Sequence, residues 1–147
     1  MAGSTCAAAE ILVRSRLFFS TWCISNMVLV PVDDTLSVCE AYNPSTNSWT
    51  TVGSLNVGRR TGAALALAGK IILFGGERTT TGGAFDAVEE YDPSTNKWTL
   101  FTNAPMPTPR HGFALGHIGN GIFLVAGGVD GGSSYSSSVD VMRYKWM

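Results

Sequence analysis

Short apolar runs broken by glycine pairs dominate the hydrophobic pattern. Ile71 to Phe74 is continuously apolar and ends at Gly75-Gly76, as a strand buried on both faces would. The stretch Gly62 to Ala68 is built from Gly, Ala and Leu, which suits a strand that a neighbouring backbone approaches closely. Ala87 to Tyr91 is more polar and reads as a strand nearer the surface. In Asp92-Pro93-Ser94-Thr95-Asn96, Pro presets φ, Asp and Ser bond local backbone, and Asn tolerates positive φ, so a turn is predicted. A fourth strand follows over Lys97 to Phe101, with the large ring of Trp98 able to cover the flank of the unit.

The pattern repeats. Tyr42-Asn43-Pro44-Ser45-Thr46-Asn47-Ser48-Trp49 recurs as Tyr91-Asp92-Pro93-Ser94-Thr95-Asn96-Lys97-Trp98, displaced by 49 with six of eight positions identical. Gly69 to Gly76 recurs as Gly121 to Gly128, displaced by 52, and Arg60-Thr61-Gly62 is answered by Arg110-His111-Gly112. A period of about fifty residues signals a repeat architecture. A four-stranded sheet of this size cannot bury both faces alone, so copies must pack face to face, and radial packing gives a propeller.

The diglycine, the Tyr and the Trp six residues after the turn's Asp together resemble the kelch repeat. The expected fold is therefore all-β, with about three kelch-type propeller blades that make an incomplete ring: 16–49 as a degenerate repeat after a 1–15 extension, 60–98 as a well-formed repeat, and 110–147 as a truncated one. In the last, Met142 to Trp146 stands where a Tyr-Asp-Pro turn is expected. Either the hairpin is shortened or Trp146 falls there by coincidence. In the first, sliding 60–76 back by 44 puts Arg16 on Arg60, Met27 to Val30 on Ile71 to Phe74, and Pro31-Val32 on the diglycine. A targeting segment competes for this region, since Arg14 and Arg16 precede the fourteen-residue stretch Leu17 to Val30; that stretch is too short to span a bilayer, is interrupted by polar residues, and no small-x-small cleavage site follows it.

Composition narrows the function. The 147 residues include ten Lys+Arg and eleven Asp+Glu, a net charge of −1, with 14% charged residues and 17 glycines. So little charge provides no drive toward nucleic acid or an anionic membrane surface, and leaves an isolated set of blades poorly soluble. Cys6, Cys23 and Cys39 are spaced neither as zinc ligands nor as a redox pair, and no Asn-x-Ser/Thr acceptor occurs. Free thiols in a reducing, cytoplasmic compartment are expected, with a secreted chain as the alternative.

Candidate chemistry is sparse. His111 and His117, six apart on a predicted strand, lie roughly 20 Å apart and cannot share a metal. The glycine-rich stretch Gly127 to Ser134 lacks the Lys and helix of a phosphate loop and reads as a strand connection. The acidic pairs Asp33-Asp34 and Glu89-Glu90 are expected to be solvated rather than to hold calcium. The periodic Tyr42, Trp49, Tyr91 and Trp98 are expected to pack between blades. No enzyme activity and no cofactor are expected. Some kelch propellers are oxidases with a copper site of Tyr, His and a Cys–Tyr crosslink, which two distant histidines do not reproduce.

The resemblance implies instead a protein-interaction module that binds a partner protein or peptide through propeller loops. The positions matching kelch ligand pockets are Arg60, Thr61, Glu77, Arg78, Arg110, His111, Val129 and Asp130. The arginines suit an acidic or phosphorylated peptide, or pair with a carboxylate of a neighbouring blade. The alternatives are a subunit that closes its ring by homo-oligomerisation, with further blades in a longer chain as another way to complete it, and an extracellular glycan-binding or oxidase-like propeller. The adaptor domain needed for a role in ubiquitin ligation is not in this sequence.

Overall fold

A computed structural model describes residues 37–78, 83–131 and 134–144. Among them are eleven β-strands and no helix, hence no helix long and apolar enough to cross a membrane. β1 (Cys39–Asn43) and β2 (Ser48–Val52) form a hairpin. β3 (Ala63–Leu67), β4 (Lys70–Phe74), β5 (Val88–Asp92) and β6 (Lys97–Leu100) make a four-stranded antiparallel meander. A third sheet holds β8 (Ala114–His117), β9 (Ile122–Ala126) and β11 (Val139–Arg143), and the short β7 (Arg110–His111) pairs with β10 (Val129–Asp130). Among the described residues these sheets stack side by side as blades, as the resemblance predicts, without closing a ring.

The apolar run 71–74 is buried on both faces because it is the second strand of a blade packed between two others. Its alternate residues feed different cores. Ile71 and Leu73 join Cys39, Leu55, Tyr91 and Trp98 between the first and middle blades. Ile72 and Phe74 join Leu65, Val88, Met106, Phe123, Val125 and Met142 between the middle and third. Desolvation in the first of these cores pushes the Cys39 thiol up to about 11, so it stays neutral and unreactive at pH 7. Cys6, Cys23 and the 16–32 stretch lie outside the described residues, as does the acidic pair Asp33-Asp34.

The predicted turn forms as expected. Asp92 Oδ1 accepts from the Ser94 amide (2.8 Å) and hydroxyl (2.6 Å), and Asn96 has a φ of 55°. Its Oδ1 accepts from the Tyr91 hydroxyl (2.9 Å) and from the Gly53 amide (2.7 Å), tying the turn to the linker from the first blade. Tyr42 and Asn47 repeat the first of these bonds at 2.8 Å. Tyr91 and Trp98 are cross-strand partners with ring centroids 5.2 Å apart, and they pack against the first blade as the periodicity predicts.

In the third blade Met142 pairs with Phe123 as Tyr91 pairs with Ile71, so Met takes the Tyr position. Tyr144, two residues later, supplies the aromatic bulk against Phe74, Phe101 and Phe123 and donates its hydroxyl to the Ala104 carbonyl at 2.8 Å. Trp146 lies outside the described residues.

Candidate functional site

The middle and third blades each open with an arginine, but the structure shifts the sequence alignment by one residue. Arg59, not Arg60, is the counterpart of Arg110. Arg59 Nη1 donates to the carbonyls of Gly75 (3.2 Å) and Ala87 (2.8 Å), and Nη2 to Glu89. Arg110 Nη1 donates to the carbonyls of Gly127 (2.7 Å) and Ser138 (3.4 Å), and Nη2 to Asp140 at 2.9 Å. Both arginine side chains are fully buried. Each crosslinks the diglycine strand to the third strand within its own blade, so the carboxylate partner is not on a neighbouring blade. The Arg110 side chain is thereby withdrawn from solvent.

Glu89 is likewise not solvated. Besides Arg59 it accepts from the Asn56 amide and side chain, both at 2.8 Å, and from the Val57 amide at 3.1 Å. A buried carboxylate is tolerated when donors satisfy it in this way. Glu90, its neighbour, points the other way and pairs with Lys70 at 2.6 Å. The expectation of a solvated acidic pair therefore fails at Glu89, because adjacent strand residues face opposite sides of the sheet.

The remaining predicted residues gather on one rim. Arg60, Glu77 and Ala84 are joined by successive antiparallel bridges; the third blade repeats this with His111, Val129 and Tyr135. The two rims are hydrogen-bonded together: the Gly76 amide donates to the Arg110 carbonyl (3.0 Å), the Gly112 amide to the Thr61 carbonyl (2.9 Å), and the Arg110 amide to the Phe85 carbonyl (3.2 Å). Loops held this way form a rigid platform rather than loose connections.

Glu77 is the hub of the rim. Its Oε1 accepts from Arg60 Nε at 3.2 Å and from the Thr61 hydroxyl at 3.3 Å, while Oε2 lies 3.5 Å from His111 Nε2, across the blade boundary. The last contact becomes an ion pair when the imidazole is protonated. Arg78 donates Nη2 to the Gly58 carbonyl at 3.2 Å and lays its guanidinium 5.8 Å from the Phe85 ring centroid. Asp130 pairs with Arg110 along the backbone and caps the next loop by accepting from the Ser134 amide at 3.1 Å.

Two rim residues escaped the sequence reading. Phe85 lies under Arg78, and Tyr135 is 92% exposed at the position equivalent to Ala84. An exposed Tyr replacing Ala in the repeat alignment is a usable signal. For Arg59 the signal was the spacing from Leu55, which matches that of Arg110 from Met106; both apolar residues anchor the linkers in the cores.

Among the described residues, no group of three or more His, Cys, Asp or Glu is placed to hold a metal ion. The rim offers guanidinium donors, two carboxylates, an imidazole and aromatic faces. No curated protein matches the chain. Residues 58–105, from Gly58 ahead of Arg59 through the diglycine, Tyr91 and Trp98, match the family model of the Kelch motif, and the same buried arginine, diglycine and rim ladder recur in the next blade.

Proposed function

We propose that the chain is a protein-interaction module whose rim, formed by the loops at 60–61, 77–78, 84–85, 111, 129–131 and 134–135, receives a peptide segment of a partner protein. The observation that carries this reading is the exposed Tyr135, bridged through Val129 to the His111 that meets Glu77, on loops locked together across a blade boundary. Exposed Tyr and Arg on a rigid scaffold are the groups most often dominant in binding energy. Arg60 and Arg78 favour carboxylate or phosphate groups, and Phe85 and Tyr135 supply apolar contact. Arg110 has no part in the contact, being buried.

The test uses a phage-displayed peptide library rich in Asp and Glu as the probe. Selected peptides should bind the wild type and lose at least about tenfold in affinity on Arg60→Glu with Arg78→Glu, and comparably on Tyr135→Ala, with circular dichroism unchanged. Affinity unaltered by all three substitutions would contradict the assignment.

A further inference from the structure

The two blade-to-blade contacts are built alike. In each, the outer face of one blade is covered by alternate residues of the second strand of the next blade together with its Tyr or Met position on the third strand. Cys39 is covered by Ile71, Leu73 and the Tyr91–Trp98 pair. Ile72, Phe74 and Val88 are covered by Phe123, Val125 and Met142.

The third blade presents the same face with nothing described against it. Val139 pairs with Ala126 as Val88 pairs with Phe74, and Val141 pairs with Leu124 as Glu90 pairs with Ile72. Val88 is fully buried, whereas Val139 is 55% and Val141 65% exposed. Moreover, the middle blade places the ion pair Lys70–Glu90 at the margin of this face, and the third blade has Ile122 and Val141 there instead. A face meant for water would hold such charges; this one has lost them.

At the opposite end of the stack, Tyr42 and Trp49 form a cross-strand ring pair with centroids 5.1 Å apart, matching the 5.2 Å of Tyr91–Trp98. Both rings are half-buried and belong to neither core. The described blades thus carry the Tyr–Trp part of the repeated contact on one outer face and a valine face of the kind it covers on the other.

We propose that two copies of this chain associate head to tail, with the Val139–Val141 face of one copy seated on the Tyr42–Trp49 face of the other. The inference is independent of the rim. Such a contact is heterologous, because different surfaces of the two copies meet.

Sedimentation of the wild-type chain over micromolar to millimolar concentrations should show self-association. Val139→Lys with Val141→Lys should weaken it at least about tenfold, and so should Trp49→Lys, each with the wild-type circular dichroism. Mixing the two variants should restore a dimer, since each retains the half the other has lost. Where a lysine variant fails to fold, Val139→Thr with Val141→Thr and Trp49→Gln replace them and should show the same pattern. A wild type that stays monomeric would overturn the proposal, as would a face variant that associates normally. Folded variants that do not complement each other would also overturn it.

Discussion

Replacing Glu89 with alanine is expected to lower stability by about 3–5 kcal/mol, a large share of the roughly 5–15 kcal/mol that holds a domain together. The reason is the company Glu89 keeps. Its carboxylate takes hydrogen bonds from the amides of Asn56 and Val57, from the Asn56 side chain and from Arg59, and both ionic side chains are fully buried. Removing the acid leaves a guanidinium without its counter-charge in a dry interior and frees the linker that carries Leu55 into the core. Asp140→Ala should cost less, because Asp140 is partly reached by solvent and has a single ion partner, Arg110, on which to act. Lys70→Ala, at a pair whose lysine is partly open to solvent, should cost the least of the three. Chemical denaturation of the three variants gives the order directly; equal losses at Glu89 and Lys70 would show that the buried pair is not the fastening it is taken to be.

The second large effect is expected at the diglycine. Gly75 has a φ of +56°, and a Cβ there would meet the Arg110 carbonyl oxygen at 2.5 Å and the side chains of Met106 and Phe113 at 2.7 Å, all three from the third blade's side of the boundary. Gly75→Ala should therefore combine a left-handed backbone penalty of about 1–2 kcal/mol with overpacking of about 1–3 kcal/mol. Gly69→Ala separates the two contributions: its φ is +77°, yet nothing lies within 4 Å of the added atom. Denaturation midpoints should fall clearly further for Gly75→Ala than for Gly69→Ala. A matching loss in the two would mean that the blades are not in contact at the diglycine.

These two sites show what could be read from the chain alone. The diglycine, the Tyr–Trp pair and the Asp-Pro turn were legible because local chemistry fixes each of them: positive φ, cross-strand ring stacking and side-chain capping recur wherever the same short string recurs. The buried arginine was misplaced by one residue because two adjacent arginines, Arg59 and Arg60, compete for one alignment position, and only the ladder partners Ala63–Phe74 and Ala114–Ala126 decide between them. Glu89 looked like half of an acidic surface pair for a related reason. Its burial depends on the linker 56–59 folding back over the third strand, through contacts 30 to 33 residues apart in sequence that no local pattern announces. Arg60, Thr61, Glu77, Arg78, His111, Val129 and Asp130, which the family resemblance singles out, lie on the rim, whereas Arg110 is buried. The rim's sharing across the blade boundary, through Glu77 and His111, was not visible in either repeat taken singly.

The central claim is that this rim is where a partner protein is received, and hydroxyl-radical footprinting of the chain with a library-selected peptide bound tests it most directly. Protection should concentrate at Tyr135, Phe85, Arg78 and His111, leaving Val139, Val141 and the Asn43–Ser48 turn as reactive as in the free protein. Protection confined to the Val139–Val141 face or to the turns, with Tyr135 as reactive as before, would contradict it.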